Sequence, residues 1–336
     1  MATVDLFAIG NALIDQEFKV SDAFLTEQNL QKGTMQLTDA DTQVKLYQDL
    51  IASQQYKGQA AGGSAANTTV AFSALGGSAF YACRVGQDDL GRVYLQGLSE
   101  ANIKTTEKSI SPGVTGTCMV LISEDSERTM HTFLGCTAEL SDGQIDFTAL
   151  TTAQWLYIEG YLSTSDSARA AVKQARSIAK QNQVKIALTL SDPAMVQYAR
   201  SGLDELLDDG VDLIFCNDQE AMMYTGTDSV AAALLQLKQF SKSIVITLGA
   251  QGALVADATQ QVLIAGRQVN AVDTNGAGDA FAGAFLYALN AGENITRAAE
   301  LAILISSEVV AQFGPRLDLA DYAKLLQTFK EEQVGA

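Results

Sequence analysis

Short apolar runs alternate with amphipathic stretches along most of the chain. Val4–Gly10, Ala79–Val85, Trp155–Glu159, Val184–Leu190, Asp212–Cys216 and Ser243–Leu248 have strand length and little internal polarity. Between several of them, Ser165–Gln181, Met195–Leu207 and Val230–Phe240 carry apolar residues at helical spacing. Nearly continuous apolar strands separated by helices predict a parallel sheet covered on both faces. Two regions break this rhythm. Residues Leu13 to Leu37 and Val114 to Leu134 read as alternating β segments with turn residues between them, which predicts a small sheet projecting from the core as a lid. The C-terminal third reads as helical through Ala277–Leu289, Ile295–Gln312 and Leu319–Phe329. With no internal repeat or flexible linker, residues 1–336 read as one α/β domain with a β lid.

Composition narrows the function. With 47% hydrophobic residues and three prolines in 336 residues, the chain can bury one large core. No apolar run approaches membrane-spanning length, and the start has no basic segment, so neither a membrane span nor a signal peptide is expected. Cys83, Cys118, Cys136 and Cys216 are scattered without metal-site spacing and read as buried thiols. A cytoplasmic protein fits these features. The formal net charge of −17 disfavours nucleic acid and anionic membranes as partners, since the summed field repels polyanions. His131 is the sole histidine, which excludes a histidine-based triad or a multi-histidine metal site. Any polyanionic substrate must therefore be held by local devices such as glycine-rich loops at helix N-termini.

Two such devices stand out. Asp273-Thr274-Asn275-Gly276-Ala277-Gly278-Asp279-Ala280-Phe281 opens a helix rich in small residues. Gly276, Ala277 and Gly278 offer unblocked N–H groups at the positive end of that helix, a place to hold charge developing on a phosphoryl group. Asp279 stands where it can accept a proton from an attacking hydroxyl, although an aspartate there can also serve as a plain helix cap. The second device is Ala61-Gly62-Gly63-Ser64-Ala65-Ala66-Asn67, before the apolar run Val70–Leu75. Its paired glycines allow close approach of a ligand, and Asn67 can both donate and accept. Taken alone, it also fits an ordinary turn before a core helix.

With these two motifs in this order, some two hundred residues apart, the chain resembles the ribokinase-like (PfkB) family of carbohydrate kinases. The resemblance extends over nearly the whole sequence. Gly10-Asn11-Ala12-Leu13-Ile14-Asp15 resembles the family's first strand with its substrate-binding aspartate. Asn217-Asp218-Gln219-Glu220 resembles the N-x-x-E motif, and Thr247-Leu248-Gly249 with Gly252 resembles the nucleotide loop. Ser64 in place of a ribokinase-type lysine, and Asn275 in the C-terminal motif, are most similar to the adenosine kinases within the family.

The resemblance implies a three-layer α/β/α fold and an ATP- and Mg²⁺-dependent kinase. Asp279 would be the base, with Gly276, Ala277 and Gly278 as the anion hole. Asp15, Gly62, Gly63, Ser64 and Asn67 would bind a ribose-type acceptor, with Phe133 stacking on its base or sugar. Arg128, Asn217, Glu220, Thr247, Gly249 and Gly252 would serve phosphate and nucleotide. Glu220 would act on Mg²⁺ through water, and Asp273 near the Gly314 loop would mark a monovalent-cation position such as K⁺. A purine nucleoside such as adenosine is the expected acceptor. A free sugar of the ribose or fructose type, or a binder without turnover, are the alternatives. The expected assembly is a monomer or weak homodimer.

Overall fold

The computed structural model describes residues 4–53, 56–125 and 127–334. Nine strands form the main sheet, and the first strand, Val4–Ile9, lies inside it between Ala153–Glu159 and Ala79–Ala82. Outward from Ala153–Glu159 run Lys185–Thr189, Val211–Asn217 and Ser241–Thr247, all parallel. The strands Gly252–Ala256 and Gln261–Ala265 then extend that edge in antiparallel sense. The parallel strands match the apolar runs, because both of their faces are buried. On one face Tyr81, Tyr157, Phe215 and Val245 pack against the helices Ser64–Ala74, Ala277–Asn290 and Ile295–Val310. On the other, Phe7, Ile158, Ile214 and Ile246 pack against Asp166–Gln181 and its neighbours. The two antiparallel edge strands escape the sequence reading because alternation at a partly exposed edge gives a weaker signal.

The stretch Met195–Leu207, read as one helix, forms two: Pro193–Tyr198, capped by Asp192, and Arg200–Leu207. The pause at Ala199 lets the second helix lie with Gly202 directly against the Ser163 carbonyl, where a side chain has no room. Among the described residues, no helix is long and apolar enough to cross a membrane.

The second sheet has five strands in the order Met35–Leu37, Arg128–Gly135, Thr115–Ile122, Leu13–Lys19 and Tyr56–Gly62. Residues 13–37 and 114–134 therefore do build the small sheet, with two differences. Ser21 caps a short helix, Asp22–Glu27, inside the first segment. The fifth strand, Tyr56–Gly62, lies outside both expected segments; its sequence YKGQAAG has too few large apolar residues to announce a strand. A helix over Ala40–Ala52 covers one face of this sheet, placing Leu46 and Leu50 against Phe18, Met119 and Leu121. The other face looks onto the C-terminal ends of the main strands. In open α/β sheets ligands bind in the crevice at those ends.

Candidate active site

Two helix N-termini converge beneath the small sheet. Gly276 caps the helix Ala277–Asn290 with φ of 72°, in the left-handed region that glycine adopts without strain. A Cβ on it would also stand 2.3 Å from the Pro315 carbonyl oxygen. Asp279 follows in the first turn. Its Oδ1 accepts a hydrogen bond from Ser64 Oγ (2.7 Å) and its Oδ2 one from Asn67 Nδ2 (2.9 Å). Ser64 and Asn67 belong to the first turn of the helix Ser64–Ala74, which starts after Gly63 at φ of 93°. The carboxylate thus lies near the positive ends of two helices and accepts two hydrogen bonds. Burial raises the Asp279 pKa above the ordinary carboxylate range, against the lowering effect of Ser64, Asn67, Arg128 and Arg316.

Asp279 stands at the junction of two cavities. The first lies between the small sheet and the main strands. Its floor is polar and includes Asn11, Asp15, Ser64, Asn67 and Asp279. The small sheet contributes the apolar Leu13, Met35, Leu37, Met130 and Leu134 to its upper wall, beside the polar Arg128 and Thr132. Asp15 is buried, and desolvation pushes its pKa up to about 7 although Arg316 opposes the shift. Gly62 leaves the space for that carboxylate, since a Cβ there would come within 2.1 Å of it. Glu159 closes the floor: Oε1 accepts from Asn11 N–H at 2.7 Å and Oε2 from Ala65 N–H at 2.8 Å. Burial raises its pKa to about 7.

Phe133 does not take the stacking position expected of it. Along Arg128–Gly135, residues Arg128, Met130, Thr132 and Leu134 line the cavity, so Phe133 points to the opposite face of the sheet. Arg128 and Phe133 lie five positions apart and cannot share one face of a regular strand. The aromatic ring that does line the cavity is Tyr161. Arg128 lines the cavity, with Nη1 donating to Asn275 Oδ1 at 2.8 Å beside the Gly276 turn. His131 also takes the outward parity, where burial lowers its pKa.

The second cavity is an open cleft over the antiparallel end of the main sheet. Thr247, Gly249 and Gly252 line one side of it, and Ala277, Gly278 and Phe281 the other. Gly252 has φ of 101°, and a Cβ on it would meet the Ile264 carbonyl at 2.0 Å, so the hairpin needs glycine there. Nothing stands within 4 Å of a Cβ built on Gly278. Ala277 and Gly278 therefore line the cleft, Gly276 packs against the Pro315 backbone, and Asp279 lines the first cavity.

Asn217 and Glu220 line neither cavity. They form a capping box at the end of the strand Val211–Asn217: Asn217 N–H and Nδ2 donate to the Glu220 carboxylate, and Glu220 N–H donates to Asn217 Oδ1. Glu220 is buried, and desolvation pushes its pKa up to about 8. Asp192, at the end of the neighbouring strand, raises it further and Arg128 lowers it. Among the described residues no cluster of three or more histidine, cysteine or acidic side chains could cage a metal. The single carboxylate of Glu220 is the kind of donor Mg²⁺ accepts, since that ion keeps several waters and binds through one or two carboxylates plus substrate phosphates. A dication near Glu220 would favour its ionised form. Asp273 is fully buried, and its two oxygens accept from Asn275 N–H (2.8 Å) and Gly314 N–H (3.0 Å). It ties the Gly276 turn to the Gly314 loop.

Several site residues escaped the sequence reading. Glu159 lies within an apolar strand, and the cavity-wall residues Leu13, Met130 and Leu134 read as lid core. Arg316 donates from Nε to Asn67 Oδ1 at 2.8 Å. Its signal was only its place beside Gly314. Asp15→Ala should weaken acceptor binding by about 1–3 kcal/mol, the cost of leaving buried hydroxyls unpaired, with ATP affinity unchanged. Calorimetric titration with each ligand separately checks this, and loss of ATP rather than acceptor affinity would reverse the assignment of the cavities.

Comparison with known proteins agrees with this geometry. A ribokinase from Haemophilus influenzae is 30% identical over 248 residues, 72% of this chain and 78% of its own length. An adenosine kinase from Schizophyllum commune is 27% identical over 347 aligned positions, 94% of this chain and 97% of its own. The solved structure of adenosine kinase from Sinorhizobium meliloti superposes with a TM-score of 0.89 at 32% identity, covering 96% of this chain and 99% of that one. The model of the pfkB family of carbohydrate kinases matches residues 33–321. A fold, a pair of helix-terminal glycine motifs and a family match over most of the sequence agree: this chain is a member of the pfkB kinase family, phosphotransferases that act on sugars and nucleosides.

Proposed function

We propose that this kinase transfers the γ-phosphoryl group of ATP to the 5′-hydroxyl of a purine nucleoside such as adenosine. The observation that carries this reading is the position of Asp279 and the Gly276–Gly278 turn between an enclosed polar-floored cavity and an open cleft. The acceptor occupies the first and the nucleotide the second, so their reacting ends meet at the turn. Asp15 and Asn67 hold the ribose hydroxyls. Asp279 takes the proton from the primary hydroxyl as its oxygen attacks the γ-phosphorus in line, and the bond to the bridging oxygen of ADP breaks. The N–H groups of Gly276, Ala277 and Gly278, with Arg128, stabilise charge on the transferred group. Glu220 is the residue that would hold Mg²⁺, which when bound would supply charge neutralisation on the phosphates. The small sheet covers the acceptor and excludes water as a competing acceptor.

The apolar wall of Leu13, Met35, Leu37, Met130 and Leu134 favours a nucleoside over a free sugar, because a ribose alone leaves that wall bare. Burying a base face there contributes about 1–3 kcal/mol. Adenosine is therefore expected to exceed free ribose by roughly one to two orders of magnitude in kcat/KM. The free-sugar alternative is favoured by the polar floor and by the ribokinase likeness. Initial rates of ADP release with adenosine, inosine, ribose and fructose separate the two. A free sugar that outperforms every nucleoside would end the nucleoside reading and leave the kinase in place.

A further inference from the structure

Asn67 has two different neighbours, and chemistry fixes which of its ends faces each. Its Nδ2 donates to Asp279 Oδ2 at 2.9 Å, and its Oδ1 accepts from Arg316 Nε at 2.8 Å. An ionised carboxylate only accepts hydrogen bonds and a guanidinium only donates them, so the amide has one satisfied orientation. Without Arg316 the amide oxygen loses that partner, and the amide can turn its oxygen toward the Asp279 carboxylate, where it repels.

Arg316 is itself firmly placed. Gly314 N–H donates to Asp273 Oδ2, the Pro315 backbone lies against Gly276, and Gln312 Nε2 donates to the Arg316 carbonyl at 2.7 Å. The loop from Gln312 to Leu317 thus supports the Gly276 turn from behind and delivers the guanidinium to Asn67. The second cation facing the floor, Arg128, rides on the small sheet, whereas Arg316 belongs to the main body. The groups gathered around Asp279 are Arg128 and Asp15 from the small sheet, Arg316 from this loop, Glu159 and Tyr157 from the main strand with Tyr161 just after it, and Tyr322 from the C-terminal helix. Three carboxyl groups and two arginines share one buried space, so removal of either cation takes away a charge that favours the ionised form of Asp279.

We propose that Arg316 is a positioning residue for phosphoryl transfer, locking the Asn67 amide so that its nitrogen holds the Asp279 carboxylate toward the acceptor hydroxyl. This rests on the reading of Asp279 as the base. In the full chain, Arg316→Ala is expected to lower kcat/KM for adenosine by roughly 10²-fold, as small misplacements of reacting groups do, with the KM for ATP unchanged. The acid limb of its kcat/KM–pH profile should move to higher pH, because a cation that stabilised ionised Asp279 is gone. Arg316→Lys, which keeps a cation and a donor, should return the limb to its wild-type position and recover part of the rate. An Arg316→Ala enzyme with wild-type kcat/KM and limb would overturn the proposal. So would equal losses in both variants with an unmoved limb and a lower unfolding temperature, the mark of a mere loop prop. A readout without turnover separates failure here from failure of the kinase reading. The Asn67 side-chain amide protons, followed by NMR, should be protected from exchange in the wild type and lose that protection in Arg316→Ala. If the wild type turns over no acceptor, the functional reading fails, and equal protection in both proteins would still sink the role of Arg316.

Discussion

Asp279→Asn is expected to keep both substrates bound within a few-fold and to lower kcat by about 10²–10⁴, the range typical of a lost general base. That corresponds to about 3–5 kcal/mol of transition-state stabilisation. The amide cannot take the proton from the attacking hydroxyl, while the Ala277–Asn290 helix keeps a polar residue in its first turn. One amide end can still accept from Ser64, although the other now meets the Asn67 amine as donor against donor. A modest loss of stability is therefore compatible with the role, but near-normal turnover is not. Single-turnover kinetics with saturating ATP and acceptor isolates the chemical step. A variant retaining wild-type kcat would reduce Asp279 to a helix-terminal anchor.

Gly276→Ala should be nearly as damaging by a different route. Its φ of 72° is costly for alanine, and the added methyl would lie 2.3 Å from the Pro315 carbonyl oxygen. Relief of that clash must move the turn away from the Gly314–Arg316 loop, breaking the register of the anion hole. A fall in kcat of about 10² or more is expected. Thermal or denaturant unfolding should show a loss of roughly 2–4 kcal/mol, the sum of left-handed strain and overpacking. Gly278→Ala provides the contrast. A Cβ there meets open space in the cleft, so stability should hold, and with the nucleotide in that cleft as proposed the KM for ATP should rise. If Gly276→Ala and Gly278→Ala behave alike, the turn is not supported by the Pro315 loop as described.

The parallel core strands were legible because burial on both faces leaves an unmistakable apolar run, as at Trp155–Glu159 and Asp212–Cys216. The two glycine motifs were legible because tight helix starts at positive φ require glycine, with small residues after it. Edge strands were not: Tyr56–Gly62 and Gln261–Ala265 bury one side or less, and their composition hides them. Phe133 was misplaced for a simpler reason. Aromatic content suggested stacking, but the two-residue period of its strand, already set by Arg128, sends it to the outer face. Arg316 lay beyond reading from the sequence, since its contact with Asn67 joins positions 249 residues apart. Long-range polar pairs leave no periodic trace, whereas local hydrogen-bond patterns such as the Asn217–Glu220 capping box do.

The central claim is that the Asp279 junction moves a phosphoryl group from ATP to a primary hydroxyl in the enclosed cavity. The most direct measurement follows the fate of a labelled γ-phosphate in a mixture of the purified chain, Mg²⁺, ATP and adenosine. The expected result is label on the 5′-oxygen of the nucleoside, with one ADP formed for each product molecule and no accumulation of free phosphate. The claim is contradicted if label appears only as inorganic phosphate, or if ATP persists with adenosine and with every other nucleoside and sugar offered.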